Sequence, residues 1–348
     1  MMMFRKYFLM CLFFVPLMAT SNPIEASEKT TSSKNESLPK ENTAFSDFYK
    51  GWQAQSREKY KEAFALYTKA SKEGYSVASF HMAKMYEEGL GVPQDYEKAF
   101  MYYEEISKKG YVKAQLFLAE FYKEGKGVSQ DYKKAFYWYK KAADEGVLKA
   151  QIQTAEMYAA ALGVKKSLVK SIKYYKAAMQ QGSLEARTSL ALLYLHEDQL
   201  KKHLKEGKEL ILRSALKGEV KAQYHLSQLY KKSKIFKVDT EEYLFWLQKA
   251  ADQGYTKAQY EVGSYYSSTQ DYEKAYKYLR AAANAGYTNA QYDLGLMYHE
   301  GIGIKVDKLK TYQYWTSASA SGDKDAEYNL KILCGNSPEV CKSTLNLK

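Results

Sequence analysis

Residues 114–146 read AQLFLAEFYKEGKGVSQDYKKAFYWYKKAADEG, and this stretch decides the fold because its pattern recurs along the chain. An alanine opens it, a glycine-rich turn divides it, and Gly146 closes it. The closing glycine recurs every 36 residues, with one interval of 32, at Gly74, Gly110, Gly146, Gly182, Gly218, Gly254, Gly286 and Gly322. A fixed period of this length indicates stacked repeats, each of which buries its apolar face against its neighbours.

Each unit contains two predicted helices. The first begins near an alanine four residues after each closing glycine, and positions are counted from this alanine as offset 0: Ala78, Ala114, Ala150, Ala186, Ala222, Ala258, Ala290 and Ala326. Offsets 0, 4, 5 and 8 share one helical face at 100° per residue. Offset 5 is Gly, Ala or Ser in every copy from Ala83 to Gly295, which predicts close approach of a neighbouring helix.

A turn such as Gly125-Lys-Gly127 separates the two helices, since glycine accepts the left-handed backbone angles that end a helix. The second helix opens with a good N-cap residue, such as Asp131, and ends at the closing glycine. The two motifs together resemble the Sel-one-like repeat, a 36-residue branch of the tetratricopeptide-type repeats. This resemblance covers about residues 45 to 333. It implies an all-α fold, a right-handed superhelical α-solenoid of antiparallel helix pairs.

The glycines predict eight units and a C-terminal capping helix. The units span about residues 45–74, 75–110, 111–146, 147–182, 183–218, 219–254, 255–286 and 287–322, and the cap spans 323–333. Units five and six lack the Gly-x-Gly turn, which is replaced by residues 197–205 and 233–240. No second helix is expected after the cap.

The N-terminus has the pattern of a secretory signal peptide over residues 1–21. Arg5 and Lys6 precede an uncharged apolar stretch, and cleavage is expected after Ser21 or Ala19. Residues 22–44 are polar and charged, so we expect a disordered linker. Export would place the mature chain in the periplasm or outside the cell. There, Cys334 and Cys341 in the tail (334–348) are expected to form a disulfide, with two free thiols as the alternative.

Catalytic patterns are sparse. His196-Glu197 and His299-Glu300 begin like a zinc-protease motif, but no second histidine follows at the required spacing. The Gly-x-Gly turns lie between helices and not between a strand and a helix, which argues against a phosphate-binding loop. We therefore predict no catalytic residue, no metal site and no cofactor.

Two sets of side chains are candidates for binding a partner. Offset 2 holds Phe80, Tyr224, Tyr260 and Tyr292 and lies opposite the signature face, near Gln228, Lys231 and Lys232. These residues either line a concave groove or pack on the preceding unit's second helix. The segment 201–237 carries eleven basic and three acidic residues, so it either attracts an anionic surface or glycan or is simply a solvated face.

The predicted function is that of an exported, non-enzymatic scaffold or adaptor, a monomer that binds a protein partner in envelope processes or at host cells. This role rests on the resemblance. Nucleic acid is not an expected partner, although the formal net charge is +12. The alternative is a protein that binds or hydrolyses envelope glycans. A pair of carboxyl groups with a raised pKa, facing each other at about 5–9.5 Å, would favour hydrolysis.

Overall fold

The computed structural model describes residues 43–232 and 235–343, and of residues 342 and 343 only the backbone. The predicted signal peptide lies outside the described residues. So does the predicted linker, except for Thr43 and Ala44. For these two residues the linker prediction is wrong, because they open the first helix and Ala44 is buried.

All regular structure in the described residues is helical, with eighteen α-helices and one 3-10 helix, Asp198–His203, between α9 and α10. The helices are α1 (Thr43–Ser56), α2 (Tyr60–Lys72), α3 (Ser76–Glu88), α4 (Tyr96–Lys108), α5 (Val112–Glu124), α6 (Tyr132–Asp144), α7 (Leu148–Ala160), α8 (Leu168–Gln180), α9 (Leu184–His196), α10 (Leu204–Leu216), α11 (Val220–Lys232), α12 (Thr240–Asp252), α13 (Thr256–Ser268), α14 (Tyr272–Asn284), α15 (Thr288–Glu300), α16 (Lys308–Ala320), α17 (Lys324–Asn336) and α18 (Pro338–Ser343).

Odd-numbered helices up to α15 are the first helices of their units, and the next even-numbered helix completes each pair. From α2 to α18, each helix packs against its neighbours in the chain, and Phe48 on α1 contacts Tyr67 on α2. This nearest-neighbour packing is the architecture of an α-solenoid, so the predicted fold class is confirmed. Within the described part of the chain, every helix is too short or too polar to cross a bilayer.

The small residue at offset 5 lets the two helices of a unit pack closely, as predicted. A Cβ atom added to Gly263 would lie 2.8 Å from Cγ of Leu279 on α14. At Gly295, the added atom would overlap the indole ring of Trp315, which is 2% exposed. A larger side chain at this offset would therefore force the helix pair apart.

The Gly-x-Gly turn, which connects the two helices of one unit, also packs against the preceding unit. Its second glycine, for example Gly127, has a positive φ of 61° and packs against the backbone carbonyl of Tyr96 in the preceding unit. The first glycine of the turn can be replaced by a larger residue, since Ala161 occupies this position in unit four with a φ of 58°. The turn is thus both a helix end and a contact between repeats.

A recurrent contact covers the tyrosine at offset 8. In unit three the backbone N–H of Asp131 donates to the carbonyl of Tyr122 at 2.8 Å, and the ammonium of Lys134 lies 5.1 Å from the Tyr122 ring centre. The same lysine-over-tyrosine arrangement recurs in units two, four, seven and eight. The prediction that these tyrosines are core is confirmed for four buried members, Tyr122, Tyr158, Tyr194 and Tyr298, whereas Tyr86, Tyr230 and Tyr266 are half-buried.

The C-terminal end differs from the prediction. α17 extends to Asn336, and a short helix, α18, follows it and packs against α16 and α17. The expectation that no helix follows the cap is wrong, because Ser337 separates two helices and Pro338 begins the second at a position that proline favours. Cys334 and Cys341 are joined in a disulfide with Cα atoms 5.8 Å apart, which connects α17 to α18.

Candidate functional site

The side chains at offsets 3 and 6 form a strip along the first helices, which we call the first-helix surface. All of them are half-buried except Ser264 and Ile332, which are exposed. The pairs are His81 and Lys84, Phe117 and Glu120, Gln153 and Glu156, Ser189 and Leu192, His225 and Gln228, Glu261 and Ser264, Asp293 and Leu296, and Asn329 and Ile332 on α17. This strip combines charged, polar and apolar groups in every part of the array.

The offset-2 residues pack between repeats. Phe80 and Tyr224 are only 8% and 5% exposed, so their predicted role as surface contacts is corrected. The Tyr224 ring lies 4.9 Å from that of Tyr255, the residue before the next first helix. Tyr260 contacts Tyr287 in the same way but stays half-buried. Offset 2 therefore packs on the following unit, and not on the preceding unit's second helix.

The last member of the offset-2 set, Tyr292, is half-buried. Its ring stacks on Trp315 at 6.3 Å, and its hydroxyl oxygen accepts a hydrogen bond from the Asn329 amide at 3.2 Å. The outer edges of Tyr260 and Tyr292 thus remain available next to the first-helix surface.

Three of the predicted binding residues converge on one carboxylate. The hydroxyl of Tyr224 donates to Glu261 Oε1 at 2.7 Å, and the Gln228 amide donates to Oε2 at 2.8 Å. The ammonium of Lys231 is 3.7 Å from Oε2. Glu261 thus links units six and seven, while Lys232 stands exposed beside this cluster.

Three carboxyl groups on first helices have a raised pKa. Burial raises the pKa of Glu87, although the Tyr103 hydroxyl donates to this carboxylate at 2.9 Å and lowers it in part. Burial likewise raises the pKa of Asp293. Burial also raises the pKa of Glu156, nearby Glu185 raises it further, and Lys123 lowers it.

Two histidines at offset 3 favour the neutral form. Burial lowers the pKa of His81 to about 4, and Lys84 and Lys113 lower it further by repulsion. Burial also lowers the pKa of His225. Neither histidine belongs to a metal-binding cluster, because no group of three or more His, Cys, Asp or Glu side chains in the described residues could hold an ion.

A cavity of about 500 Å³ lies between unit eight and α17. Its wall includes Leu296, Trp315 and Ile332, together with the polar side chains of His299 and Asn329. Ile332 is 46% exposed. The cavity adjoins the first-helix surface and offers an apolar pocket at its C-terminal end.

The basic segment 201–237 is partly neutralised. Lys201 pairs with Asp198 at 3.1 Å and Lys221 with Glu185 at 3.2 Å, while the ammonium of Lys208 lies 5.3 Å from the Phe236 ring centre. Lys234 lies outside the described residues. Arg213 and Lys217 are exposed and line a second cavity, of about 410 Å³.

The repeat pattern matches one family model, that of the Sel1 repeat. The matches cover residues 48–75, 76–111, 112–147, 148–183, 220–255, 256–287 and 288–323. The chain belongs to the Sel1 repeat family. Members of this family are generally non-enzymatic scaffolds that mediate protein–protein interaction. The family model does not match residues 184–219, nearly all of which belong to unit five.

Two solved structures are similar to this chain. A Sel1 repeat protein from Oxalobacter formigenes is 28% identical, with a TM-score of 0.67, over 83% of this chain and 87% of that one. A protective antigen of uropathogenic Escherichia coli, which displays the same repeat fold, is 24% identical with a TM-score of 0.58. That match covers 84% of this chain but only 65% of the antigen. No curated protein sequence matches significantly.

Sequence reasoning missed the offset-3 column, which holds His225, Glu261 and Asp293. The signal was present, since offset 3 falls at 300° on the helical wheel, within about 60° of offset 6. Offset 2 drew attention because of its aromatic residues, yet large rings at a helix interface are more often buried than exposed.

Proposed function

We propose that the chain is a non-enzymatic scaffold that binds a partner protein through its first-helix surface. The observation that carries this proposal is the strip of half-buried offset-3 and offset-6 side chains, which runs from unit two to α17. Such a strip combines polar and apolar contacts over many adjoining positions, as protein-binding surfaces do. The generally non-enzymatic, interaction-mediating character of Sel1 repeat proteins supports the same role.

The cavity beside Ile332 is the proposed anchor point. Apolar side chains that fill a pocket contribute most of the binding energy in many interfaces, whereas the polar rim contributes less. Leu296, Trp315 and Ile332 supply the apolar wall, and Asn329 and His299 supply polar groups at its edge. A partner side chain seated here would bury the exposed part of Ile332.

The carboxyl groups favour binding over glycan hydrolysis. Glu87, Glu156 and Asp293 lie two or more repeats apart, so they do not face one another across the short gap that hydrolysis needs. Glu185, which adjoins Glu156, is paired with Lys221 at 3.2 Å. This ion pair favours a structural role for Glu185.

A crosslinking pull-down with two matched variants tests the proposal. Ile332→Ser alters the anchor, and Leu309→Ser alters a similarly exposed residue on the second helix α16 (46% and 44% exposed). A partner should be recovered equally by the parent and Leu309→Ser, and about tenfold less by Ile332→Ser. Circular dichroism verifies that both variants fold. Equal recovery by the two variants would contradict the proposed anchor.

We further propose that the mature protein begins after Ser21 or Ala19 and acts in the cell envelope, outside the cell or at a host cell. The N-terminal sequence pattern supports export, and the disulfide between Cys334 and Cys341 fits an oxidising compartment. Mass spectrometry of the protein recovered from periplasmic and culture-medium fractions would give the mature N-terminus. Recovery of the full-length chain from the cytosol alone would contradict export.

A further inference from the structure

The same side-chain hydrogen bond is formed within unit four and within unit six. At the end of unit four, the Gln181 amide donates to Gln151 Oε1 at 2.9 Å. At the end of unit six, the Gln253 amide donates to Gln223 Oε1 at 2.7 Å. Each pair connects offset 1 of a first helix with the residue before the closing glycine. The contact is a neutral hydrogen bond between two amides.

Unit five has two cations at the same two positions, Arg187 and Lys217. Among the described residues, neither side chain has a carboxylate oxygen within 4 Å. Arg213, five residues before the closing glycine Gly218, adds a third cation, which lies 3.9 Å from the carboxylate of Glu209. Like charges that share a site repel one another, and a bound anion relieves this repulsion.

A second replacement accompanies the first. The offset-1 glutamine of unit six also donates to the backbone carbonyl of Ala215 at 3.1 Å, and Gln151 is placed toward Ala143 in the same way at 3.4 Å. Each of these alanines lies in the preceding unit, eight residues before the glutamine, and the residue eight positions before Arg187 is Met179, on α8 of unit four. Arg187 therefore replaces the glutamine donor, and Met179 replaces the alanine whose backbone carbonyl accepts.

The replaced residues line a cavity of about 410 Å³, one wall of which is cationic and the other apolar. Arg187, Arg213 and Lys217 form the cationic wall, and Met179, Leu210 and Leu216 form the apolar wall. Its volume is within the range of small-molecule sites.

Leu216 is 73% exposed at a position that is aspartate in units three and six. In unit three that aspartate is Asp144, which accepts a hydrogen bond from Tyr174 at 2.6 Å, and in unit six it is Asp252, which accepts one from Tyr278 at 2.7 Å. Unit five thus has no carboxylate at this position and presents an apolar side chain to solvent instead.

We propose that this cavity binds an anionic amphiphile. The phosphate or carboxylate head lies between Arg187, Arg213 and Lys217, because guanidinium groups hold such oxyanions with paired hydrogen bonds. The alkyl chain covers Met179, Leu210 and Leu216 and removes their apolar surface from water. The site is separate from the first-helix surface, so it does not depend on the proposed partner protein.

Isothermal titration calorimetry with octyl phosphate, below the concentration at which it forms micelles, tests the site. The parent should bind one molecule per chain. The double variant Arg187→Gln/Lys217→Gln restores the amide pair of units four and six, so it should fold and bind at least about tenfold more weakly. Lys165→Gln/Lys305→Gln removes the same charge from two exposed positions elsewhere and should bind as the parent does. Undetectable binding to the parent, or equal binding by the two double variants, would overturn the proposal.

Inorganic phosphate and octyl glucoside separate the contributions of head and tail. Each should bind at least about tenfold more weakly than octyl phosphate, since each engages one wall only. Equal binding of inorganic phosphate would overturn the amphiphile assignment. Sedimentation with phosphatidylglycerol vesicles, compared with phosphatidylcholine vesicles, distinguishes the sources. Specific cosedimentation assigns the head to a membrane lipid, and octyl phosphate binding without cosedimentation assigns it to a free amphiphile.

Discussion

Units eight and five reverse the chain between their helices by different means. In unit eight, Gly301 ends α15 with a φ of 72°, and Gly303 packs against Tyr272 of the preceding unit. Unit five has no glycine between its helices, and the 3-10 helix Asp198–His203 connects them instead. The replacement turn contributes Leu200, which is only 8% exposed, to the core.

Both turns cover the tyrosine at offset 8. In unit eight the ammonium of Lys310 lies 4.8 Å from the Tyr298 ring centre, whereas in unit five the His203 ring stacks on Tyr194 at 4.6 Å. The comparison shows that a covered tyrosine and a filled junction can be achieved without the glycine turn. The helix packing continues through unit five, although the family model does not match it.

The strongest test of the glycine turn is Gly127→Ala. The added Cβ would overlap the carbonyl of Tyr96, and alanine is strained at a φ of 61°. We expect a loss of about 3 kcal/mol or more in the free energy of unfolding, measured by urea denaturation. Gly125→Ala is the matched control, because its Cβ has ordinary contacts at 3.4 Å or more, and Ala161 already occupies that position in unit four. The control should cost about 1 kcal/mol, and equal losses would show that only the backbone angle matters.

The corresponding test of unit five is Leu200→Ala. Removing this side chain should lower the free energy of unfolding by about 2–3 kcal/mol, because it leaves a cavity under the 3-10 helix. Leu216→Ala, on the same unit but 73% exposed, should change it by less than about 0.5 kcal/mol. If Leu200→Ala were as mild as this control, the replacement turn would not be a packed element.

The smallest expected effect is a shift in the pKa of His225, at the junction of units five and six. Burial lowers the pKa of His225 below the ordinary 6.5, and the charges of His196, Lys257 and Lys221 lower it further. Because the folded pKa lies below the unfolded one, the stabilisation is complete above about pH 6.5 and is lost as the pH falls through the folded pKa. His196→Ala should raise the pKa of His225 slightly, as measured by NMR titration with His225→Gln to assign the resonance. A His225 pKa at or above 6.5 in the parent would contradict this account.

The repeats could be predicted from sequence because each helix pair has the same register of alanine, small residue, tyrosine and closing glycine. Gly295 shows why, since its neighbour Trp315 leaves no alternative to a small residue. The exposure of offset 2 could not be predicted, because a position near 200° on the wheel contacts the next unit or solvent according to how the repeats stack. Tyr224 is buried by that stacking, whereas Tyr260 is not fully covered.

The cation pair of unit five could not be recognised from the sequence, because the amide contact that it replaces is formed only in the folded chain. Arg187 and Lys217 are thirty residues apart in sequence, and each alone reads as an ordinary surface cation. Their significance comes from the amide pair that occupies the same place in the adjoining units. The short helix α18 was missed because six residues carry too little periodicity to predict a helix.

The joint replacement at Met179 and Arg187 also constrains how an array of this kind can change its length. Recombination between repeats that share the glutamine-to-alanine contact rejoins equivalent surfaces, so whole blocks of 36 residues can be duplicated or lost. A crossover between Met179 and Arg187 would separate two residues that line the same cavity. The cavity of unit five should therefore persist only in arrays that inherit both residues together.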